Sequence, residues 1–590
     1  MRHTPAGDLA VKRMREEGQL EENLTIPEGS AHDVCLACLV FLLSLVYLRL
    51  FYNYTLINGD EGIVLQGAQR VLEGEVPYRD FFSFYTPGSY YWLALFFKLF
   101  GSSILVGRVV LLVEGALLST LTYLLARRAT ARWSALMAAY FVTLTCVPFR
   151  FIVLHNWDST LWASLALYSA LRFLERPRSA WALATGAFTA FTCLFEQSKG
   201  SGLVLGLGAG CLILIRISRR YRAGVLPAVA RATCPSGPAA RAGRPRDGGP
   251  DARAAIFMAA GFFAPFLLTF LYFGLHHGLP QLLADWLWPL HHYSAVNKAP
   301  LGFLVLDPTQ RETMYAGSSL LRLLTLLITG PWYVVPVLPF VACLVLAYWL
   351  VRMWRAGRAT AQARYYVTIS ATLTGLLLST LATGRADFTH LVYLGPLFFL
   401  VLAWILDGGH IPSPLLHTLK PLLAFLLFFS FTAFGMALLW QPLNAHQRLV
   451  TRRGSLKTNS SDQVIDYVQR RVSAGETMLV YPYLPLYYYL TATRSPGRYE
   501  YLMPGFHSPQ QFQELLAELI ADRTRVVLFE PSFREKIVAG FPSAAPSVLA
   551  APDPVEAYIV THYRACAVLT SQNFWRFAFM IRKDLPCPDK

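Results

Sequence analysis

Charged residues are scarce in this chain: Asp, Glu, Lys and Arg supply 15% of its 590 residues, hydrophobic types supply 54%, and the mean hydropathy is +0.40. So little charge over so long a chain excludes an ordinary soluble protein, in which the charged share is about 25%. Metal-ligand spacing is missing from the cysteines. The nine of them fall mostly within apolar runs, where they pack as small hydrophobes, and only Cys566 and Cys587 in the polar tail are placed to pair. The first apolar run lacks a small-residue cleavage site and follows 33 residues with seven acidic side chains, which predicts a retained anchor and not a removable signal peptide. No clear internal repeat is visible. The excess of 52 basic over 36 acidic residues does not indicate nucleic acid, because the Arg clusters fall between apolar runs, where the positive-inside bias accounts for them.

What is present is a series of apolar runs at about 34–54, 104–126, 133–154, 159–175, 179–195, 200–217, 254–275, 331–353, 364–383, 389–407 and 418–440. Most are near the roughly 20 residues that span a bilayer, so they predict an α-helical polytopic membrane protein with about 11 transmembrane helices. Segment 86–100, TPGSYYWLALFFKLF, is short, carries Lys98 and opens with Pro87-Gly88, so it reads as an interfacial or re-entrant helix. With that choice Arg127, Arg128, Arg132, Arg176, Arg178, the Arg-rich loop 216–253 and Arg352, Arg355, Arg358 and Arg364 share one side, the cytoplasm. The chain then divides into a cytoplasmic tail 1–33, a membrane domain 34–440 and a C-terminal extracytoplasmic α/β domain 441–590. The membrane domain carries an outer loop at 55–103, a disordered cytoplasmic loop at 218–253 and an outer loop at 276–330 with an interfacial helix near 316–328. In the C-terminal part, MLVYPYLPLYYYL, RVVLF and FWRFAFMIR read as strands, and SDQVIDYVQRRV and SPQQFQELLAELI as helices.

Apart from the basic clusters, most polar residues unusually close to apolar helix ends share the outer side: Asp60, Glu61, Arg79, Asp80, His155, Asp158, Glu196, Lys199, Arg385, Asp387 and His390. Ionisable groups near membrane depth are expensive, so they are usually paired, hydrated or functional. Each also has an ordinary explanation. Asp60 suits the cap of a helix carrying Val64, Ala68, Val71 and Leu72, with Glu61 at its positive dipole end. Asp158 suits the cap of a helix starting near Ser159, Arg79–Asp80 and Arg385–Asp387 suit surface ion pairs, and Lys199 suits snorkelling beside Glu196. The His pairs 276/277 and 291/292 lack the companion spacing of a metal site. Jointly, carboxylates to accept a proton, Arg and Lys to hold phosphate and aromatics for a sugar face suit a lipid-phosphate donor.

The stretch DEGIVLQGAQRVLEGEVPYRDFFSFYTPGSYYWLALFFKLFGSSILVGR, residues 60–108, resembles the first outer loop of bacterial GT-C glycosyltransferases related to protein O-mannosyltransferases and lipid A aminoarabinose transferases. The resemblance covers about 35–220 and more loosely the helices to 440, where GRADFTH resembles a segment of many such proteins. It implies a GT-C architecture in a bacterial plasma membrane and transfer of a sugar, with inversion, from a polyprenyl-phosphate donor to a lipid, glycan or protein hydroxyl outside. It also implies catalytic roles for Asp60, as general base, and for Asp158, with the adjacent Glu61 as the third catalytic candidate. Glu61 and Asp158 then orient substrate or hold a divalent cation if one is used, and the substrate-binding candidates are Arg79, Asp80, His155, Lys199, Arg385 and His390. Several relatives have a Lys and two prolines where this chain has Tyr85-Thr86-Pro87-Gly88, so the phosphate contact supplied there is either missing or moved, with Lys199 and Arg385 as candidates to replace it. The rival is a transporter or lipid-linked-sugar flippase, which the missing repeat and the one-sided polar residues disfavour.

Overall fold

The computed structural model describes residues 31–55, 57–232, 250–293, 296, 298–302, 312–356, 360–407, 414–540, 544–572 and 575–588. The tail 1–30 and the centre of the basic loop, 233–249, lie outside them. The chain is mainly helical and multi-pass: among the described residues, seven helices are long and apolar enough to cross a membrane. It opens with α1 (Ala31–Leu48), α2 (Gly59–Leu72), α3 (Gly88–Phe100), α4 (Ile104–Ala126) and α5 (Arg132–Phe149). Then follow α6 (His155–Glu175), α7 (Ser179–Phe195), α8 (Gln197–Ala232), α9 (Pro250–Leu275), α10 (Leu279–Trp288) and α11 (Ser319–Ile328). The helical part closes with α12 (Pro331–Ala356), α13 (Ala361–Ala382), α14 (Phe388–Tyr393), α15 (Gly395–Leu406) and α16 (Pro414–Leu443).

The seven qualifying helices are α1, α4, α12 and the main parts of α8, α9, α13 and α16. The other apolar runs are helical as well, but are shorter or less apolar. Run 389–407 divides into α14 and α15 because Pro396 has no N–H to continue the preceding turn. At 13 residues, α3 reaches about 20 Å, short of a hydrocarbon core of about 30 Å. One expectation is corrected: α8 continues to Ala232, so the first part of the 218–253 loop is helical. Its Arg and Ala residues are good helix formers, which the reading from loop composition overlooked. α8 and α13 meet at their backbones; a Cβ on Gly375 would lie 2.3 Å from the Gly202 carbonyl oxygen, so only glycine fits there.

At the Arg-rich end of the bundle, Asp33 accepts from Arg127 (3.1 Å) and Arg132 (3.0 Å), while Arg128 pairs with Glu175 (2.8 Å). The opposite ends carry the C-terminal part. There β1 (Gln447–Thr451) and β2 (Gly454–Thr458) form an antiparallel hairpin, followed by α17 (Gln463–Arg471). A four-stranded sheet of order β3-β4-β6-β5 is built from β3 (Met478–Tyr481), β4 (Val526–Phe529), β5 (Tyr563–Thr570) and β6 (Arg576–Arg582). Strands β3 and β4 run parallel and the other neighbours antiparallel. Between them lie α18 (Leu486–Thr491), α19 (Pro509–Asp522) and three short helices, α20 (Phe533–Gly540), α21 (Ala545–Ala550) and α22 (Pro554–His562). Cys566 and Cys587 are joined by a disulfide.

The run MLVYPYLPLYYYL is therefore strand only at its start; LYYYLT is helix α18. Its residues are buried on every side, so periodicity does not separate helix from strand, and Pro482 and Pro485 stop the ladder.

The first outer loop and the C-terminal part are joined along a long seam. Thr55 N–H donates to the Lys457 carbonyl (3.0 Å), Ile104 N–H to the Arg453 carbonyl (2.9 Å) and Phe82 N–H to the Arg498 carbonyl (3.0 Å). Glu500 meets Arg70 at 3.2 Å and accepts from Gln66 at 3.1 Å.

Candidate active site

The expected helix carrying Val64, Ala68, Val71 and Leu72 forms as α2, but its cap is Asn58, whose side chain accepts from the Asp60 N–H at 3.0 Å. This frees the Asp60 carboxylate from the capping role and turns it towards other elements. Its Oδ2 meets Arg150 Nη2 at 3.2 Å, and its Oδ1 accepts from the Tyr483 hydroxyl at 2.8 Å. The Asp60 side chain keeps 41% exposure and that of Arg150 27%, so the pair is reachable from solvent.

Arg150 follows the last residue of α5, and its carbonyl accepts from Trp157 Nε1 at 3.1 Å. Its Nε donates to the Tyr393 hydroxyl at 3.3 Å. Through Tyr393 the site reaches a second ionic group, because the His390 and Tyr393 rings lie 6.1 Å apart. Asp387 caps α14 by accepting from the His390 N–H, meets His390 Nδ1 at 3.0 Å and pairs with Arg385 at 2.9 Å. Burial alone raises the Asp387 carboxyl, but His390 and Arg385 outweigh it and hold it well below the usual carboxylate range.

His155 opens α6 with its ring 3.9 Å from that of Tyr85, and its Nδ1 has no hydrogen-bond partner among the described residues. It lies within electrostatic range of Asp60, Glu196, Lys199 and His390. Helix ends distant in sequence thus converge with a tyrosine of the C-terminal part on one exposed carboxylate.

The other candidates stand apart from Asp60. Glu61 faces inward, 0% exposed: Oε1 receives Arg108 Nε at 2.6 Å and Val153 N–H at 2.9 Å, and Oε2 receives Arg108 Nη2 at 2.6 Å. It is a sealed buckle between the first loop and α4, which gives the Gly107-Arg108 of the quoted stretch a structural role. Asp158 is not the cap, because α6 begins at His155; it accepts from the Ser89 hydroxyl and lines, with Glu114, a cavity of about 10 Å³.

Lys199 is buried with its Nζ within 2.8–3.0 Å of the Asn156 carbonyl, Ser159, Thr160 and Glu196. Three N–H donors are thereby used, leaving none for phosphate. Arg79 and Asp80 pair with each other at 2.7 Å, and Arg79 also donates to the His276 carbonyl at 3.0 Å. Among the described residues no three His, Cys, Asp or Glu side chains gather as a metal would need, and Asp60, Glu61 and Asp158 point to different partners.

Sequence reasoning missed Arg150, Tyr393 and Tyr483. Arg150 had a signal: it is an arginine inside the apolar run 133–154. Tyr483, 423 residues from Asp60, had none.

Residues 85–228 match the model of a family described as dolichyl-phosphate-mannose-protein mannosyltransferase, in agreement with the GT-C resemblance over that segment. No curated protein matches the chain. Among solved structures the chain is similar to ArnT from Cupriavidus metallidurans bound to undecaprenyl phosphate, at 14% identity and TM-score 0.46, covering 94% of this chain and 98% of that one. The apo state of the same protein gives 13% identity, TM-score 0.45 and the same coverage of 94% and 98%. The oligosaccharyltransferase of Archaeoglobus fulgidus, in complex with Zn and sulfate, gives 11% identity and TM-score 0.43, covering 93% of this chain and 74% of that one.

Proposed function

We propose that this multi-pass membrane protein is a glycosyltransferase that moves a sugar from a polyprenyl-phosphate donor to an acceptor hydroxyl, with inversion and with Asp60 as general base. The observation that carries this reading is the exposed Asp60 carboxylate, held between Arg150 and Tyr483 where the helix ends meet the C-terminal part. The family match at 85–228 supports the reaction class.

In this mechanism an incoming donor phosphate competes with Asp60 for the Arg150 guanidinium. Phosphate matches the guanidinium fork better than one carboxylate oxygen at 3.2 Å does, and capture of Arg150 releases Asp60 Oδ2. The acceptor hydroxyl then attacks the anomeric carbon as Oδ2 takes its proton. The bond between that carbon and the phosphate oxygen breaks, and Arg150 stabilises the growing negative charge. Arg150 thus replaces Lys199, whose donors are used, as the phosphate contact.

The reading places the site and the C-terminal part outside a bacterial plasma membrane, with the N terminus in the cytoplasm. Supporting this, the Arg-rich helix ends lie opposite the site, and the Cys566–Cys587 disulfide suits an oxidising compartment.

The test is transfer or donor hydrolysis by the purified full chain with a panel of polyprenyl-phosphate sugars. Asp60→Asn is expected to lower turnover by about 100-fold to 10,000-fold while donor binding persists. Retained turnover would refute the base; transbilayer movement of intact lipid without bond cleavage would establish the flippase instead.

A further inference from the structure

Tyr483 stands at the carboxyl end of β3, the end at which parallel strands commonly present functional loops. Three observations single it out. Its hydroxyl donates to Asp60 Oδ1 at 2.8 Å. The residue facing its ring is Gly59, where a Cβ would lie 2.2 Å from the tyrosine Cε1, so the first loop carries no side chain at the point where the ring must pass. The next residue, Leu484, is a non-glycine at φ 109°, a strained backbone of the kind that clusters at functional sites.

We infer that Tyr483 is a positioning residue for Asp60: it anchors Oδ1 so that Oδ2, once Arg150 is taken by phosphate, points at the acceptor hydroxyl. The C-terminal part is then a component of the site and not a separate scaffold. The placement divides the two oxygens by partner, with a neutral hydroxyl on one and an exchangeable cation on the other. Phosphate attracts a neutral hydroxyl less strongly than a guanidinium, so Arg150 is the partner that donor binding draws away and the Oδ1 anchor stays. The catalytic consequence rests on the proposed transferase reading; the anchoring does not.

Two measurements separate these. The first labels Asp60 with a water-soluble carbodiimide and glycine ethyl ester in the purified full chain at one fixed pH, read by mass spectrometry as a rate. Tyr483→Phe frees Oδ1 and opens it to the reagent, so Asp60 is labelled several-fold faster, with an unchanged thermal midpoint showing an intact fold. Gly59→Ala, which pushes on the Tyr483 ring, moves the rate the same way. Equal labelling rates for wild type and Tyr483→Phe would overturn the inference.

The second measures hydrolysis of undecaprenyl-phosphate-linked sugars. Tyr483→Phe lowers kcat by about 10-fold to 100-fold with donor KM retained, the effect of one hydrogen bond to a charged group. A raised donor KM with kcat unchanged would also overturn it. A raised labelling rate in a Tyr483→Phe protein whose wild type cleaves none of these donors leaves the anchor standing and removes the transferase.

Discussion

Replacing Arg108 by Ala is expected to destabilise the protein by about 3–5 kcal/mol, because it strands the Glu61 carboxylate in a sealed site. The two side chains are 1% and 0% exposed and approach to 2.6 Å. Unit charges at that separation attract by about 6 kcal/mol at an effective dielectric of about 20. Removing both ions from water costs several kcal/mol each and offsets most of that attraction, so the intact pair is close to neutral. Losing one half is different: the buried Glu61 carboxylate loses two donors, and Tyr54 and Thr55 lose theirs. The double replacement Glu61→Gln with Arg108→Met removes both charges and is expected to recover about 2 kcal/mol or more. Reversible unfolding in mixed micelles, followed by tryptophan fluorescence for wild type, both single variants and the double variant, measures each quantity. An Arg108→Ala protein within about 1 kcal/mol of wild type, or a double variant no better than that single one, would refute the reasoning. Turnover lost in Glu61→Gln at full stability would return Glu61 to the reacting groups.

Gly62→Ala should be worse tolerated than Gly59→Ala, because its Cβ would lie 2.1 Å from the Leu486 backbone nitrogen, whereas at Gly59 it meets a movable ring. Limited proteolysis should show the seam opening only in Gly62→Ala, a loss of about 1–3 kcal/mol. Two buried groups outside the helical spans set opposing pH dependences. Burial, partly offset by Arg498, pushes Asp285 up to about 7, so the folded state holds its proton longer than the unfolded chain and stability falls as pH rises from about 4 to 7. Burial pushes His507 down to about 3, so there stability falls as pH drops from about 6.5 to 3. The two nearly cancel between about pH 4 and 6.5. Asp285→Asn should therefore give a thermal midpoint that climbs with pH across that window, and His507→Asn one that declines; parallel profiles for both variants and wild type would contradict these assignments.

The membrane character was fully legible in the chain, because a spanning helix is a local object: about 20 apolar residues satisfy their own backbone hydrogen bonds and need no distant partner to be recognised. The helix carrying Val64, Ala68, Val71 and Leu72, the short segment at 86–100 and the polar residues bordering the apolar runs were legible for the same reason. Local pattern failed at LYYYLT, where burial on every side erased the period, and at the opening of the basic loop. It also failed to divide labour between adjacent acids. Asp60 and Glu61 are chemically alike and neighbours in sequence, yet consecutive helical side chains diverge by about 100°, and one faces solvent while the other is sealed. Only the packing of α4 and the α5–α6 corner decided that Glu61 meets Arg108 and Val153, and only the docking of the C-terminal part brought Tyr483 to Asp60 across 423 residues. Such pairings depend on how whole helices and a sheet settle against one another, and no short window of sequence contains that information.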